Sequence, residues 1–365
     1  MEHGGNRYQA GRKIGVSEDA LIDFSANICP LGMPDPVREA AAAAAAAAVH
    51  YPDPSSSALC EQIARSMTDE GYDIRPQWVM CGSGAADLIY RLVFAMNPRT
   101  AVVPHPTFGE YEEAMGCIGT KIIGYDLNHD GFEIKEDILE NINETVDMVF
   151  ICSPNNPTGV LTERALLEAI VERTARVGAL AVIDECFLDF VPEPRQYTMA
   201  GHLTDYPNML ILRSFTKMYA MPGLRLGYAL CGDETILDQM KRFGPPWPVS
   251  TAAQAAGMAA ILAKDHRQKT VGYILRERTW MEQALASMDI EFTQSSANYI
   301  LIRVPEVSDL YEQMLLRRIM IRRCENYVNL DGSYFRIAVG CHEDNVQLMA
   351  ALKQIIGEKR RLKER

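Results

Sequence analysis

The sequence lacks the patterns of a metal centre or a disulfide framework. Its nine cysteines are scattered singly through 365 residues, and none forms a C-x-x-C pair. None of the seven histidines stands four residues from another, and none has a zinc-type spacing to a cysteine. An odd number of separated cysteines favours reduced, mostly buried thiols, so we expect a cytoplasmic protein and predict no metal.

Long apolar runs and basic clusters are also scarce. The first residues, MEHGGNRYQAGRK, lack the apolar core of a signal peptide, and the alanine run at 40–48 is too short to span a bilayer. The net charge of −12 argues against non-specific nucleic-acid binding. The one basic cluster, EKRRLKER, is typical of a solvated tail. We therefore expect neither a membrane nor a nucleic acid as partner.

Apolar, β-branched runs alternate with helical patterns between about residues 78 and 231. The runs are WVMC, TAVVP, TKIIGY, DMVFIC, ALAVID, MLILRS and LGYALC. This alternation predicts an α/β fold with a mostly parallel seven-stranded sheet. After the prolines at 245–248, one long helical stretch and three short strands predict a smaller α+β C-terminal domain. We divide the chain into an N-terminal segment (1–35), a large domain (36–245) and a small domain (246–365).

Small, polar or ionisable residues follow four of the predicted strands. They are GSGAAD, SPNNPTG, DECFLDF and SFTK. Ligands of such sheets bind beyond the carboxyl ends of the strands, so four polar ends predict one site. Each stretch alone has an ordinary explanation. GSGAAD could simply begin a helix, Asp184 could cap one, and Lys217 and Arg225 could extend to solvent from the apolar run SFTKMYAMPGLRLGYAL.

Taken together, the four stretches favour pyridoxal 5'-phosphate as cofactor. A glycine-rich helix start suits a phosphate, and a carboxylate at the end of a buried strand suits a cationic ring nitrogen. The amide of Asn156 is a donor, and the amine of Lys217 can form a covalent bond with the cofactor. A nicotinamide-dependent oxidoreductase is an alternative that rests on GSGAAD alone, which is a poor dinucleotide fingerprint.

The order GSGAAD, SPNNPTG, DEC, SFTK and R-L-G resembles the fold-type I pyridoxal-phosphate enzymes of the aminotransferase class I/II superfamily over nearly the whole chain. The resemblance implies a homodimer with shared active sites. It implies that Lys217 and Asp184 are the catalytic residues, Lys217 binding the cofactor covalently and Asp184 pairing with its ring nitrogen. The further cofactor contacts that it implies are Ser83, Gly84, Ala85, Ser214, Thr216 and Arg225 at the phosphate, Phe108 and Asn156 at the ring, and Tyr51 from the neighbouring subunit.

Three stretches, HGGN, DFSANICPLGMP and IMIRRCENYVNLDGSYFRIAV, resemble the threonine-phosphate decarboxylase branch more than the histidinol-phosphate aminotransferase branch. Phe187 fits this branch, because most aminotransferase relatives have a tyrosine there. The resemblance implies decarboxylation of L-threonine O-3-phosphate to 1-amino-2-propanol O-phosphate for cobalamin biosynthesis, with O-phosphoserine as a second candidate substrate. The alternatives are a histidinol-phosphate-type aminotransferase and a non-catalytic member of the fold that binds the cofactor.

The same resemblance implies how a small phosphorylated amino acid binds. Arg336 would hold its carboxylate and Arg322 its phosphate. Arg323 is not expected to reach the same ligand, because neighbouring residues of a strand face opposite sides. The N-terminal segment could close over the site. The implied substrate contacts are His3, Asn27, Asn156, Arg322 and Arg336.

Overall fold

The structure is a computed structural model that describes residues 4–127 and 131–363. Its strands are β1 (Ile22–Asp23), β2 (Val79–Gly82), β3 (Thr100–His105), β4 (Lys121–Asp126), β5 (Met148–Cys152), β6 (Leu180–Asp184), β7 (Met209–Ser214), β8 (Gly227–Cys231), β9 (Glu291–Phe292), β10 (Tyr299–Arg303), β11 (Ile319–Met320), β12 (Arg322–Arg323) and β13 (Tyr334–Ala338).

Eleven α-helices lie within the described ranges. They are α1 (Arg7–Ile14), α2 (Asp35–Ala46), α3 (Ser57–Asp69), α4 (Ala85–Met96), α5 (Glu110–Gly116), α6 (Arg164–Val177), α7 (Glu234–Arg242), α8 (Thr251–Leu262), α9 (Lys264–Ala286), α10 (Leu310–Leu316) and α11 (His342–Lys363). None of the helices in these ranges is long and apolar enough to cross a bilayer.

The seven-stranded sheet predicted from the apolar runs is present. Its strand order is β2-β8-β7-β6-β5-β3-β4, and only β8 runs antiparallel to its neighbours. Every residue of β5, β6 and β7 is buried. Helices cover both faces of the sheet, which is why these strands read as continuous apolar runs rather than as alternating ones. The α/β fold class is therefore confirmed.

Two groups of helices cover the two faces of this sheet. Helices α4, α5 and α7 bury apolar side chains against one face. Helices α2, α3, α6 and α8 belong to the core on the other face, where Ala253, Ala256 and Ala260 of α8 are fully buried. Small side chains allow α8 to pack closely against the alanine-rich α2. The first helix of the segment assigned to the small domain thus packs with the large sheet, and the division at residue 245 stays a prediction.

The smaller α+β part has a core of its own. Strands β12-β13-β10-β9 form an antiparallel sheet, against which α9, α10 and α11 pack. The long helical stretch of the sequence consists of two helices that meet at Ala263. The N-terminal segment joins this part, since β1 pairs with β11 and Phe24 is buried in the same core. Residues just after β1 therefore lie between the two cores.

Candidate active site

A cavity of about 190 Å³ lies where the carboxyl ends of the large sheet meet the small domain and the N-terminal segment. This arrangement follows from the parallel strands, whose carboxyl ends share one edge of the sheet. Most of the residues predicted from the sequence line it together. They are Asn27, Gly84, Ala85, Phe108, Asn156, Asp184, Ser214, Thr216, Lys217, Arg225, Arg322 and Arg336.

Asp184 ends the buried strand β6 and is 4% exposed. Its Oδ2 accepts a hydrogen bond from the Tyr111 hydroxyl at 2.6 Å, and its Oδ1 accepts one from the backbone N–H of Cys186 at 2.9 Å. Both donors are neutral, and no lysine, arginine or histidine of the described chain forms an ion pair with this carboxylate. A buried carboxylate is costly without a cation, so the site suits a protonated ring nitrogen.

Lys217 lies in the same cavity, partly open to it but surrounded by protein. Burial lowers the pKa of the Lys217 ammonium to about 8, and the positive charges of Arg336 and Arg225 add to this effect. Burial and neighbouring cations both disfavour the charged form of an amine. A substantial fraction of Lys217 is therefore a neutral nucleophile near pH 8, which is the form that covalent chemistry requires.

The other end of the cavity is built to receive an anion. Gly84 caps the N-terminus of α4 with φ +87°, and a Cβ there would lie 2.7 Å from an Arg225 guanidinium nitrogen. Glycine thus lets Arg225 approach the helix start. Nearby, the hydroxyls of Ser214 and Thr216 are 2.7 Å apart. A helix N-terminus, a guanidinium and two hydroxyls together suit a phosphate.

The exposure of Arg225 differs from what its apolar neighbours in the sequence suggest. Its apolar neighbours suggest burial, but its side chain is exposed although Leu226 and Gly227 beside it are buried. Its backbone has a left-handed conformation (φ +58°), at the point where the chain turns into β8. The turn directs the guanidinium toward Gly84 and away from the core.

Asn156 and Arg336 meet at the substrate side of the cavity. The Asn156 amide oxygen accepts from Arg336 and lies 3.4 Å from the Tyr327 hydroxyl, so the amide nitrogen is the group left to donate to a ligand. Arg336 also donates to the Ser25 carbonyl at 2.9 Å and lies over the Tyr299 ring at 5.3 Å. Its Nε is buried and has no hydrogen-bond partner among the described residues. These contacts are all to neutral groups, so the Arg336 charge is available to an anion.

Arg322 and Arg336 stand directly opposite each other on β12 and β13. Opposed residues of antiparallel strands share one face of a sheet, so both buried guanidinium groups reach the same cavity. Arg322 donates to Asn326 at 2.9 Å and lies over the Tyr327 ring at 5.6 Å. Arg323 instead forms an ion pair with Glu312 outside this cavity. Both arginines, however, border a second cavity beside α1, so the expectation that they do not reach one ligand stays a prediction.

Two of the predicted contacts that the structure describes, Ser83 and Tyr51, are not among the residues that line the cavity. The backbone N–H of Ser83 donates to the Asp87 carboxylate at 2.9 Å, so this group is not free to bind a phosphate as expected. Tyr51 is 78% exposed and stacks on Trp247, with ring centroids 4.2 Å apart. Its role toward a neighbouring subunit stays a prediction. His3 lies outside the described residues.

Two tyrosines of the site were not identified from the sequence. Tyr327 lines the cavity between the two arginines, and Tyr111 lies behind Asp184. The signal for Tyr111 was its position three residues after Phe108 in HPTFGEY, which places both on one side of a helix start. Tyr327 lies in the loop ENYVNLDG, where no helical or strand periodicity distinguishes one residue from another.

Comparison with known proteins identifies the family. Residues 19–355 match the family model of aminotransferase class I and II. The chain belongs to this family. It is 37% identical to a threonine-phosphate decarboxylase of Salmonella typhimurium, over 97% of this chain and 96% of that protein. It is 30% identical to a histidinol-phosphate aminotransferase of Methanothermobacter thermautotrophicus, over 96% and 94%.

A solved structure supports the same fold. It is the histidinol-phosphate aminotransferase of Sinorhizobium meliloti in complex with pyridoxal 5'-phosphate, with a TM-score of 0.85, 20% identity, and coverage of 97% of this chain and 95% of that one. Pyridoxal 5'-phosphate is the cofactor of this family and of this enzyme. The cavity fits it, because its lining includes a buried carboxylate, an amine and a helix start beside a guanidinium.

Replacing Lys217 tests its covalent role. In Lys217→Ala we expect the visible absorbance of covalently bound cofactor to disappear and turnover to fall by at least about 10²-fold, because the nucleophile and proton donor is lost. Absorbance spectra and steady-state rates of purified protein measure both. Lys264→Ala, at the exposed start of α9, is the control and should behave as the parent. A fully active Lys217→Ala enzyme would refute the assignment.

The charge of Arg336 should control the protonation of Lys217. In cofactor-free protein, we expect amine labelling of Lys217, followed by peptide mass spectrometry, to titrate with a pKa of about 8. Arg336→Met should raise this pKa, because removal of a neighbouring cation favours the ammonium form. Arg303→Met removes a guanidinium that pairs with Glu291 elsewhere on the small sheet, and should leave the pKa of Lys217 unchanged. A parent pKa near the usual 10.5 would contradict this account.

Proposed function

We propose that this protein catalyses the pyridoxal-phosphate-dependent decarboxylation of L-threonine O-3-phosphate to 1-amino-2-propanol O-phosphate. The observation that carries the proposal is the pair Arg322 and Arg336, which face one cavity from opposite positions on β12 and β13. A phosphorylated amino acid has two anionic groups, its carboxylate and its phosphate. Guanidinium groups bind both kinds of anion with paired hydrogen bonds.

The roles of the two arginines follow from their surroundings. Arg336 is held by Asn156 and the Ser25 carbonyl and lowers the pKa of Lys217, so it acts close to the reacting centre and would bind the carboxylate. Arg322 contacts Asn326 and Tyr327, is not among the cations that lower the pKa of Lys217, and would bind the phosphate. Asn27, whose buried Oδ1 has no hydrogen-bond partner within residues 4–127 and 131–363, would supply a further acceptor for the substrate.

The protein's residues perform three tasks in the reaction. When bound, pyridoxal 5'-phosphate withdraws electrons from the bond at the substrate α-carbon that stands perpendicular to its ring. Arg336 and Arg322 hold the substrate so that the bond to the carboxylate takes that position, and CO₂ leaves. The ammonium of Lys217 then delivers a proton to the α-carbon from Nζ, for which a pKa of about 8 is suitable. Asp184 would hold the ring nitrogen of the cofactor.

Phe187 favours this reaction over transamination. Its ring is buried at the cavity wall, edge-on to Tyr299 at a centroid distance of 5.0 Å. The resemblance places a tyrosine hydroxyl here in most aminotransferases, and Phe187 has none to offer. A histidinol-phosphate-type aminotransferase is the second candidate, supported by the 30% identical relative. Histidinol phosphate has a phosphate but no carboxylate, so it would occupy only one of the two arginines.

We also propose that two copies share their active sites. The phosphate end of the cavity is open at the exposed Arg225, and the exposed Tyr51 and Trp247 form an apolar stack on the surface. The partner subunit's Tyr51 would complete the phosphate site in such a homodimer. The product would serve cobalamin synthesis, as the resemblance to threonine-phosphate decarboxylases implies.

The reaction itself is tested with holoenzyme and O-phospho-L-threonine. We expect release of CO₂ and formation of 1-amino-2-propanol O-phosphate, measured by mass spectrometry. O-phosphoserine lacks one methyl group, so its kcat/KM should be about 10- to 200-fold lower than that of O-phosphothreonine. Formation of the pyridoxamine form of the cofactor, regenerated with a keto acid, would identify an aminotransferase instead. Absence of both reactions would indicate a non-catalytic binding protein.

Arginine variants test the two anion sites separately. Arg322→Met and Arg336→Met should each raise KM for O-phosphothreonine by about 10- to 100-fold, because each loses a charge-assisted hydrogen bond. The product has a phosphate but no carboxylate, so its inhibition constant should rise only in Arg322→Met. Arg323→Met is the matched control, since its guanidinium pairs with Glu312 outside the cavity. Equal effects of both variants on product binding would refute the assigned roles.

A further inference from the structure

The hydroxyl of Tyr111 is buried directly behind the acid of the site. Tyr111 lies in the first turn of α5 and is fully buried. Its ring stacks on Phe150 at a centroid distance of 4.6 Å and meets Phe108 edge-on at 5.6 Å. Its hydroxyl reaches Asp184 Oδ2 at 2.6 Å, across 73 residues of sequence. Tyr111 is not among the residues that line the cavity, so it can affect a ligand only through other side chains.

This hydrogen bond has one direction. Burial and the negative charge of Asp184 raise the pKa of the Tyr111 hydroxyl well above its usual value, so it stays protonated and donates. A distance of 2.6 Å is in the range of a charge-assisted O–H···O⁻ bond, which is about twice as strong as a bond between neutral groups. A donor that faces a carboxylate stabilises its ionised form.

The second carboxylate oxygen is fixed as well. Asp184 Oδ1 accepts from the backbone N–H of Cys186, the second residue after β6. Two donors on two oxygens determine the plane of the carboxylate, while each oxygen keeps a lone pair that can accept from a ligand. The Tyr111 side of this arrangement is rigid because the ring is packed between Phe150 and Phe108.

We propose that Tyr111 is a positioning residue that keeps Asp184 ionised and oriented toward the ring nitrogen of the bound cofactor. Through Asp184 it strengthens cofactor binding and keeps the proton on that nitrogen. The inference concerns the cofactor alone and does not depend on the substrate or on the proposed decarboxylation.

The experiment compares Tyr111→Phe with the parent, because this change removes one oxygen and keeps the ring. We expect the Kd of the cofactor, measured by visible absorbance, to rise about 10- to 100-fold, the loss that corresponds to one hydrogen bond to a charged group. With ¹⁵N-labelled cofactor, the NMR chemical shift of the ring nitrogen should move toward the value of the unprotonated ring. Tyr125→Phe is the matched control, since its hydroxyl donates to Asp137 at 2.5 Å on the edge strand β4. It should change neither quantity.

A double-mutant cycle distinguishes positioning from packing. If Tyr111 acts through the carboxylate, Tyr111→Phe should change the Kd by less than about 3-fold in an Asp184→Asn background. An equal loss of affinity in both backgrounds, or a parent-like Kd and ring-nitrogen signal in Tyr111→Phe, would overturn the proposal. Thermal unfolding of the cofactor-free proteins checks that each variant folds.

If Tyr111→Phe does not fold, replacement of tyrosine by 3-fluorotyrosine provides the second measurement. Fluorination makes the phenol a stronger donor and leaves the ring in place. In the fluorinated parent, we expect the ¹⁵N NMR chemical shift of the ring nitrogen to move toward the value of the protonated ring. In fluorinated Asp184→Asn we expect no such change. Identical responses in the two proteins would overturn the proposal.

Discussion

The buried carboxylate of Asp184 is the constraint on which the site depends. It ends a strand whose residues are all buried, and its two hydrogen-bond donors, Tyr111 and the Cys186 N–H, are both neutral. Such a charge is costly in the free protein and is compensated when a cationic ring nitrogen binds. Lys217 is in the opposite situation, because burial and two nearby arginines destabilise its positive charge. Under the proposed roles, pyridoxal 5'-phosphate would offset both costs, because its ring nitrogen would pair with Asp184 and its aldehyde would react with the Lys217 amine.

The two ends of the cavity come from different cores. Ser214 ends β7 of the large sheet, and Thr216 and the start of α4 follow its strands β7 and β2, whereas Arg322 and Arg336 belong to the small antiparallel sheet. The N-terminal segment joins the small domain through the pairing of β1 with β11. Under the proposed roles, the residues around the large sheet would hold the cofactor, and the small antiparallel sheet would hold the substrate.

Local patterns predicted the sheet and most of the site, because strand composition and strand-end chemistry are local properties. The absence of Arg323 from the residues that line the site cavity likewise agrees with the two-residue period of a strand. The contact between Tyr111 and Asp184 could not be predicted, since it depends on how α5 packs against β6. The assignment of α8 to the C-terminal part was not supported for a similar reason. An alanine-rich helix has no strongly apolar face, so only its packing against α2 shows which core it joins.

The choice between losing CO₂ and losing a proton depends on where the substrate carboxylate is held. A change of about 1 Å at a distant contact can cost 10²-fold in rate, so the group that binds the carboxylate must be rigid. Arg336 meets this requirement, because Asn156, the Ser25 carbonyl and the Tyr299 ring hold it from three parts of the chain. Tyr299 in turn donates to the Asn155 carbonyl at 2.8 Å. The SPNNPTG loop thereby supports Arg336 both directly through Asn156 and indirectly through Tyr299, so a carboxylate bound by Arg336 and a ring contacted by Asn156 would be held by the same loop.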